Sequence, residues 1–237
     1  MATMRIALIS DVHGDLPALD AALAHAHRLG CELVLCAGDL VDGDALADEV
    51  IARLAADSIP TIRGNHDRWA LERAKVIPPK WARRRDPRRE ASSLMYQADE
   101  AALFGGGADL SRESIAFLAD LPTSWSATLA GVRVVMWHAS LRSDMEGIYP
   151  ATTSPSQIES HLRKAEADVL LVGHTHEAFA VRTSGGLVAN PGALWRGASG
   201  GTFGVLTLPA REFRIYRALT GELVADAACI TRDGQRK

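Results

Sequence analysis

Thiols, aromatic rings and long apolar runs are all scarce in this chain, and each scarcity closes off a class of protein. There are three cysteines in 237 residues and no Cys-x-x-Cys pair. An odd count without paired spacing excludes a disulfide-stapled scaffold and a thiolate zinc finger. Cys31 and Cys36 flank or lie in an apolar run that reads as a strand, so both are expected to be reduced, buried thiols. Aromatics make up 5% of the chain, which leaves alanine to do much of the apolar filling. No apolar run approaches the roughly 20 residues needed to cross a bilayer. The stretch 4–10 is too short and poorly flanked for a signal peptide, and the expectation is a cytoplasmic protein with no membrane contact. An excess of cations is missing as well. With 26 Lys and Arg against 29 Asp and Glu, the formal charge is -3, so no global field draws in nucleic acid or an anionic membrane. An anionic substrate has to be attracted locally. What is present, 47% apolar and 23% charged residues, is the profile of a soluble globular protein, and the length suits one domain spanning 1–237.

The first third alternates strand-like and helical patterns: 5–9, then 16–29, 33–36, 45–56 and 59–63. That alternation predicts β-α-β units and a largely parallel sheet. Each strand run ends in a polar cluster, and in such sheets the loops after the carboxyl ends open on one edge. Clusters distant in sequence should therefore be neighbours in space. Residues 75–120 interrupt the pattern with Pro78-Pro79, a basic stretch at 80–89 and Gly105 to Gly107; they are read as a small helical cap insertion. Ser111 starts a helix there that ends before Pro122. Beyond it, strand runs at 132–137, 169–172, 178–182, 187–189, 203–208 and 211–217 surround one helix at 155–164. Turns such as Ser184-Gly185-Gly186 imply antiparallel hairpins and a second sheet, packed face to face on the first with helices outside.

The polar clusters are Asp11-x-His13, Gly38-Asp39-x-x-Asp42, Gly64-Asn65-His66-Asp67, His138 after a strand, and Gly173-His174-Thr175-His176. Five of the eight histidines fall in them. Imidazole with carboxylate suits divalent transition metals, and the absence of thiolate argues for a catalytic rather than a structural centre. On extended backbone, residues two apart point to one side, so Asp11 with His13, and His174 with His176, can each grip one ion. The two oxygens of Asp39 can bridge two cations, and the Asn65 amide can add an oxygen without charge. Glycines at 38, 64 and 173 permit close backbone approach.

In this order, across roughly residues 5–195, the five blocks resemble the ligand motifs of the calcineurin-like metallophosphoesterase superfamily. The turn Asn190-Pro191-Gly192 resembles one in its small bacterial and archaeal phosphodiesterase branch. The resemblance implies an α/β fold, a four-layer α-β-β-α sandwich of two mixed sheets flanked by helices. It implies two divalent cations, with manganese first and iron, zinc, cobalt or nickel admissible. One would be held by Asp11, His13, Asp39 and His176, the other by Asp39, Asn65, His138 and His174. The implied reaction is phosphoester hydrolysis, with a phosphodiester favoured, by direct attack of a hydroxide bridging the metals. His66 would act as the acid at the leaving oxygen, and Asp42 would orient it and favour its cation. Two positions depart from the family pattern. Ala139 follows His138 where glycine is common, and Asp15 stands where many relatives have asparagine; Asp15 either shifts substrate preference or caps the helix that follows.

His25, His27 and His161 fall in helical patterns without ligand partners in sequence and are assigned to surface or satisfied positions. The basic stretch 80–89 reads either as a lid recruiting phosphate or as a solvated face. With Trp81 and Tyr96 as its few aromatics it lacks a base-stacking surface, so nucleic acid is an open but not a predicted ligand, and the expected partner is a small phosphoester, with nucleotides and cyclic nucleotides among the candidates. Trp69, Trp125 and Trp195 read as packing residues, with Trp195 also placed to line a pocket. The alternatives are a binding scaffold that kept the fold without turnover and a phosphoprotein or nucleotide phosphomonoesterase. The presence of His66 favours the enzyme over the scaffold.

Overall fold

The structure, a computed structural model, describes residues 3–77, 110–224 and 229–230. The expected cap lies mostly at 78–109, outside the described residues, as does the basic stretch. Strand β1 (Met4–Ile9), helix α1 (Leu16–Arg28), strand β2 (Leu33–Cys36) and helices α2 (Ala47–Ala56) and α3 (Asn65–Arg73) come first. Helix α4 (Arg112–Asp120) follows, then β3 (Ser124–Leu129), β4 (Val132–Trp137), α5 (Pro155–Ala165), β5 (Val169–Leu171), β6 (Ala178–Arg182) and β7 (Leu187–Pro191). A one-turn helix α6 (Arg196–Ser199) precedes β8 (Thr202–Leu208), β9 (Glu212–Arg217) and β10 (Cys229–Ile230).

These strands form two mixed sheets, in the orders β2-β1-β8-β9 and β10-β6-β7-β5-β4-β3. In the first, β1 and β2 are parallel, with Ile6 opposite Leu33, while β8 and β9 are antiparallel additions. In the second, β4, β5 and β7 run parallel, and β3 closes an edge against β4. The period of two along each strand divides its side chains between two cores. Ile6 and Leu8 of β1 meet Val134 and Met136 of β4 and Leu171 of β5 between the sheets. Val135 and Trp137 turn the other way, onto Ile158 and Leu162 of α5. Helices α1 and α2 cover the first sheet through Leu19, Ala22, Val50 and Leu54. The α/β sandwich of two mixed sheets flanked by helices is therefore as the sequence implied.

Helix starts follow their caps. Asp15 accepts from the Ala18 N–H at the start of α1, Ser111 from that of Ser114 at α4, and Ser154 with Gln157 forms a capping box at α5. Two expectations need correction. The run 59–63 is no strand; it makes only an isolated bridge, Thr61 to Cys36, because Pro60 supplies no N–H for a ladder. Residues 124–129, absent from the strand runs read in the sequence, form β3. Its strand alternates half-buried and exposed residues, and Ser, Thr and Ala there weaken the apolar signal.

Candidate metal centre

Strands β1, β2, β4 and β5 all end on one edge, and every polar cluster singled out in the sequence gathers there. The loops are tied by backbone bonds: Asp11 N–H to Gly38 O (2.9 Å), Val12 N–H to Asp39 O (2.8 Å) and Gly173 N–H to His138 O (2.7 Å). Asp11, His13, Asp39, Asn65, His66 and His138 are buried, and Asp42 nearly so at 9% exposure. Asn65 and His66 occupy the first turn of α3 rather than a loop, so the positive end of a helix dipole faces the site.

The extended geometry expected for Asp11-x-His13 and His174-x-His176 is not what the chain adopts. Asp11, His13, Asp39, Asp42, His174 and His176 all have left-handed φ, between 47° and 69°. Such backbone costs about 1–3 kcal/mol per non-glycine residue, and it concentrates on the residues carrying the proposed chemistry. The turns still aim paired side chains inward, by curling the chain rather than by strand alternation.

Ligand atoms of Asp11, His13 and His176 lie within 4.8 Å of one another, as do those of Asp39, His138 and His174. Asp39 also groups with His13 and His66, which puts one carboxylate between the two clusters. Three imidazoles have one nitrogen committed to a backbone carbonyl. His13 Nδ1 donates to Val41 O and Asp42 O at 2.9 and 2.7 Å, His138 Nδ1 to Ala37 O at 2.7 Å, and His174 Nε2 to Met145 O at 3.1 Å. In a neutral ring the other nitrogen then bears a lone pair. Those second nitrogens face atoms that also offer lone pairs. His138 Nε2 is 2.9 Å from Asn65 Oδ1 and 3.1 Å from Asp39 Oδ2, His174 Nδ1 is 2.8 Å from Asn65 Oδ1, and His13 Nε2 is 3.2 Å from His176 Nε2. Lone pairs converging on lone pairs require positive charge between them, and divalent cations fit that donor set.

The acidities carry the same demand. Burial opposes a cation on His138, yet the charge of Asp39 outweighs it and pushes the imidazole up to about 10. Burial likewise opposes ionisation of Asp39, but His138 and His66 hold it well below the usual carboxylate range. For Asp11 burial is outweighed by the hydrogen bond and charge of His176.

His66 and Asp42 meet as expected, Nδ1 to Oδ2 at 3.2 Å, and the His66 N–H donates to Asp39 Oδ1 at 2.8 Å. Burial raises the pKa of Asp42, but the bond to His66 and the charge of Arg73 bring it below the ordinary value. Arg73 donates to Asp42 Oδ1 at 2.6 Å; it was not singled out in the sequence, although it lies two helical turns after His66, on the same face.

Other supporting groups were missed too. Asp67 accepts from the N–H groups of Asp39, Leu40 and Gly64 at 3.0, 2.8 and 2.8 Å, and so fixes the loop bearing Asp39 to α3. Its own carboxyl is pushed up to about 6 by burial and then by the charge of Asp39. Gly64 packs so tightly that a Cβ would fall 2.1 Å from Asp39 Oδ1, and one at Gly173 would fall 1.9 Å from Ser10 Oγ. Buried Arg68 donates to Asp144 and Glu72, each at 2.6 Å. That pins the segment whose Met145 carbonyl orients His174. Asn190 donates to Gly173 O at 2.7 Å and holds the other side of the same turn. Asp67 lay inside a recognised block and could have been found there, but nothing local marks Arg68 and Asp144, 76 residues apart.

Of the two departures from the family pattern, Ala139 is buried and leaves His138 in place. Asp15 caps α1 and also accepts from Arg196 Nε at 2.7 Å. Trp195 closes this rim, its ring 5.7 Å from that of His13, while Trp69 packs against His66 at 4.7 Å and Trp125 against the inter-sheet core. Beyond His138 opens a cleft of about 350 Å³, walled by Arg63, Arg68, Ser140 and Arg142 among others. Among the described residues, no helix is long and apolar enough to cross a membrane.

The family model for the calcineurin-like phosphoesterase superfamily domain matches residues 4–211. The protein MJ0912 of Methanocaldococcus jannaschii is 24% identical over 195 residues, covering 82% of this chain and 72% of its own. The crystal structure of PH1004 from Pyrococcus horikoshii superposes with a TM-score of 0.68 at 19% identity, covering 90% of this chain and 87% of that one. A metallophosphoesterase from Sphaerobacter thermophilus gives 0.65 at 22% identity, with 91% and 88% covered.

Proposed function

The chain belongs to the calcineurin-like phosphoesterase superfamily, and from that premise we propose that it is a two-metal phosphoesterase acting on a phosphodiester. The observation that carries this reading is the convergence of imidazole lone pairs on carboxylate and amide oxygens around Asp39. Asp11, His13, Asp39 and His176 would hold one divalent cation, manganese first among those suited, and Asp39, Asn65, His138 and His174 the other. When bound, the pair would withdraw charge from the phosphate oxygens and acidify a water between them.

The protein's own groups do the rest. The carbonyls of Val41, Asp42, Ala37 and Met145 fix which nitrogen each histidine offers. His66 sits at the first turn of α3 with Nδ1 on Asp42, leaving Nε2 as the atom to pass a proton to the leaving oxygen. Arg73 holds Asp42 from its far side. A diester is favoured because the cluster lies between the Trp195 ring beside His13 and the cleft beside His138, a surface for each of two ester arms.

The test is hydrolysis of p-nitrophenyl phosphate and bis(p-nitrophenyl) phosphate by chelator-treated protein before and after manganese is restored. Manganese-dependent turnover with the diester preferred is expected. Preference for the monoester would make the protein a phosphomonoesterase, and metal uptake without turnover on either would make it a binding scaffold.

A further inference from the structure

Among the described residues, three arginines line the cleft beyond His138 against two carboxylates, Glu72 and Asp144, an excess of one positive charge. Of its three arginines, Arg68 is spent on Asp144 and Glu72. Arg63 is half-buried, its backbone N–H fixed on Pro122 O at 2.8 Å. Among the described residues its guanidinium makes no hydrogen bond or ion pair, and neither does that of exposed Arg142 on the opposing loop. Both face a space of about 350 Å³ that reaches His138, at the lower end of the roughly 300–1,000 Å³ typical of ligand pockets. The hydroxyls of Thr123, Ser124, Ser140 and Ser143 share the lining with the carboxylates Glu72 and Asp144 and with Ile77, Trp137, Ala139 and Leu141. A half-buried guanidinium without a counter-charge is unfavourable until an anion arrives, and its planar fork suits a phosphate or carboxylate. The chain's net charge of -3 makes such local attraction necessary.

We propose that this cleft binds a second anionic group of the substrate, with Arg63 and Arg142 as its counter-charges. The substrate class is then a phosphodiester with a further phosphate on one arm, such as a nucleotide ester carrying a second phosphoryl group. The assignment rests on the phosphoesterase reading for the position of the first phosphate.

The test is calorimetric titration of manganese-loaded protein with thymidine 5′-phosphate and with thymidine 3′,5′-bisphosphate. Two phosphates in place of one give at most about a twofold statistical gain. Charge-assisted contacts in the cleft should make the bisphosphate about tenfold tighter or better. R142Q, at an exposed position, should lose part of that ratio, and R63Q/R142Q should bring it within about twofold. A ratio within twofold in the wild type, or one that survives in the double variant, overturns the cleft assignment and leaves the phosphoesterase reading standing. Failure of the manganese-loaded wild type to bind either nucleotide overturns the cleft assignment, and the phosphoesterase reading is then decided by the nitrophenyl ester assay alone.

Discussion

Replacing Arg68 by alanine should damage the fold and the proposed second cation site by separable amounts. The guanidinium is buried and bonds Asp144 and Glu72 at 2.6 Å each. Removing one partner of a buried ion pair costs about 3–5 kcal/mol. The Asp144 side chain is 19% exposed, so the lower end, about 3 kcal/mol, applies. For a chain of this size that lowers Tm by roughly 6–12 °C, at about 2–4 °C per kcal/mol. The second effect is on metal. Asp144 precedes Met145, whose carbonyl takes the Nε2–H of His174 and leaves Nδ1 for a cation beside Asn65. Loss of such outer support typically weakens metal binding about 10–100-fold. Thermal unfolding in chelator reads the first amount, and manganese titration by calorimetry below the new Tm reads the second. Arg68→Lys keeps the charge without the fork and should fall between. If Arg68→Ala melts early but binds its second manganese with wild-type affinity, the link from Arg68 through Met145 to His174 is wrong.

His66→Gln should cut turnover about 10²–10⁴-fold with metal content unchanged, and the loss should be larger on an alkyl ester than on a nitrophenyl ester. A wild-type rate on the alkyl ester would remove His66 as the acid. Gly64→Ala should lower metal content, because φ -90° suits alanine but the added carbon would lie 2.1 Å from Asp39 Oδ1 and 2.6 Å from Asp39 N; a fully loaded alanine variant would contradict that crowding. For the metal-free protein, His138 is raised from 6.5 to about 10. Its contribution is complete below 6.5, where both states are protonated, and declines as pH rises through about 10, because the unfolded chain gives up the proton first. Urea unfolding at pH 7 and pH 9 should show lower stability at pH 9 in chelator and little change with manganese, which takes the proton's place; the same fall with metal bound would be evidence against His138 as a ligand.

Much of this was legible in the sequence because the blocks sit where strands end. The apolar runs of β4 and β8 and the helix start at Ser111 marked their elements within a residue or two. Legibility failed where tertiary context decides. Strand β3 has little apolar periodicity and exists because β4 offers it an edge. Pro60 turned an apolar run into a single bridge. The left-handed turns at Asp11 and His174 are held by long-range backbone bonds such as Asp11 to Gly38 and Gly173 to His138, which no local pattern encodes. The same holds for support: Asp67 lies within a recognised block, whereas Arg68 and Asp144 share no local signal.

The most direct test is anomalous diffraction at the manganese edge from crystals of the manganese-loaded protein. Two peaks are predicted, both touching Asp39, one beside Asp11, His13 and His176 and the other beside Asn65, His138 and His174. No peak at this sheet edge, or a single peak away from Asp39, would contradict the account.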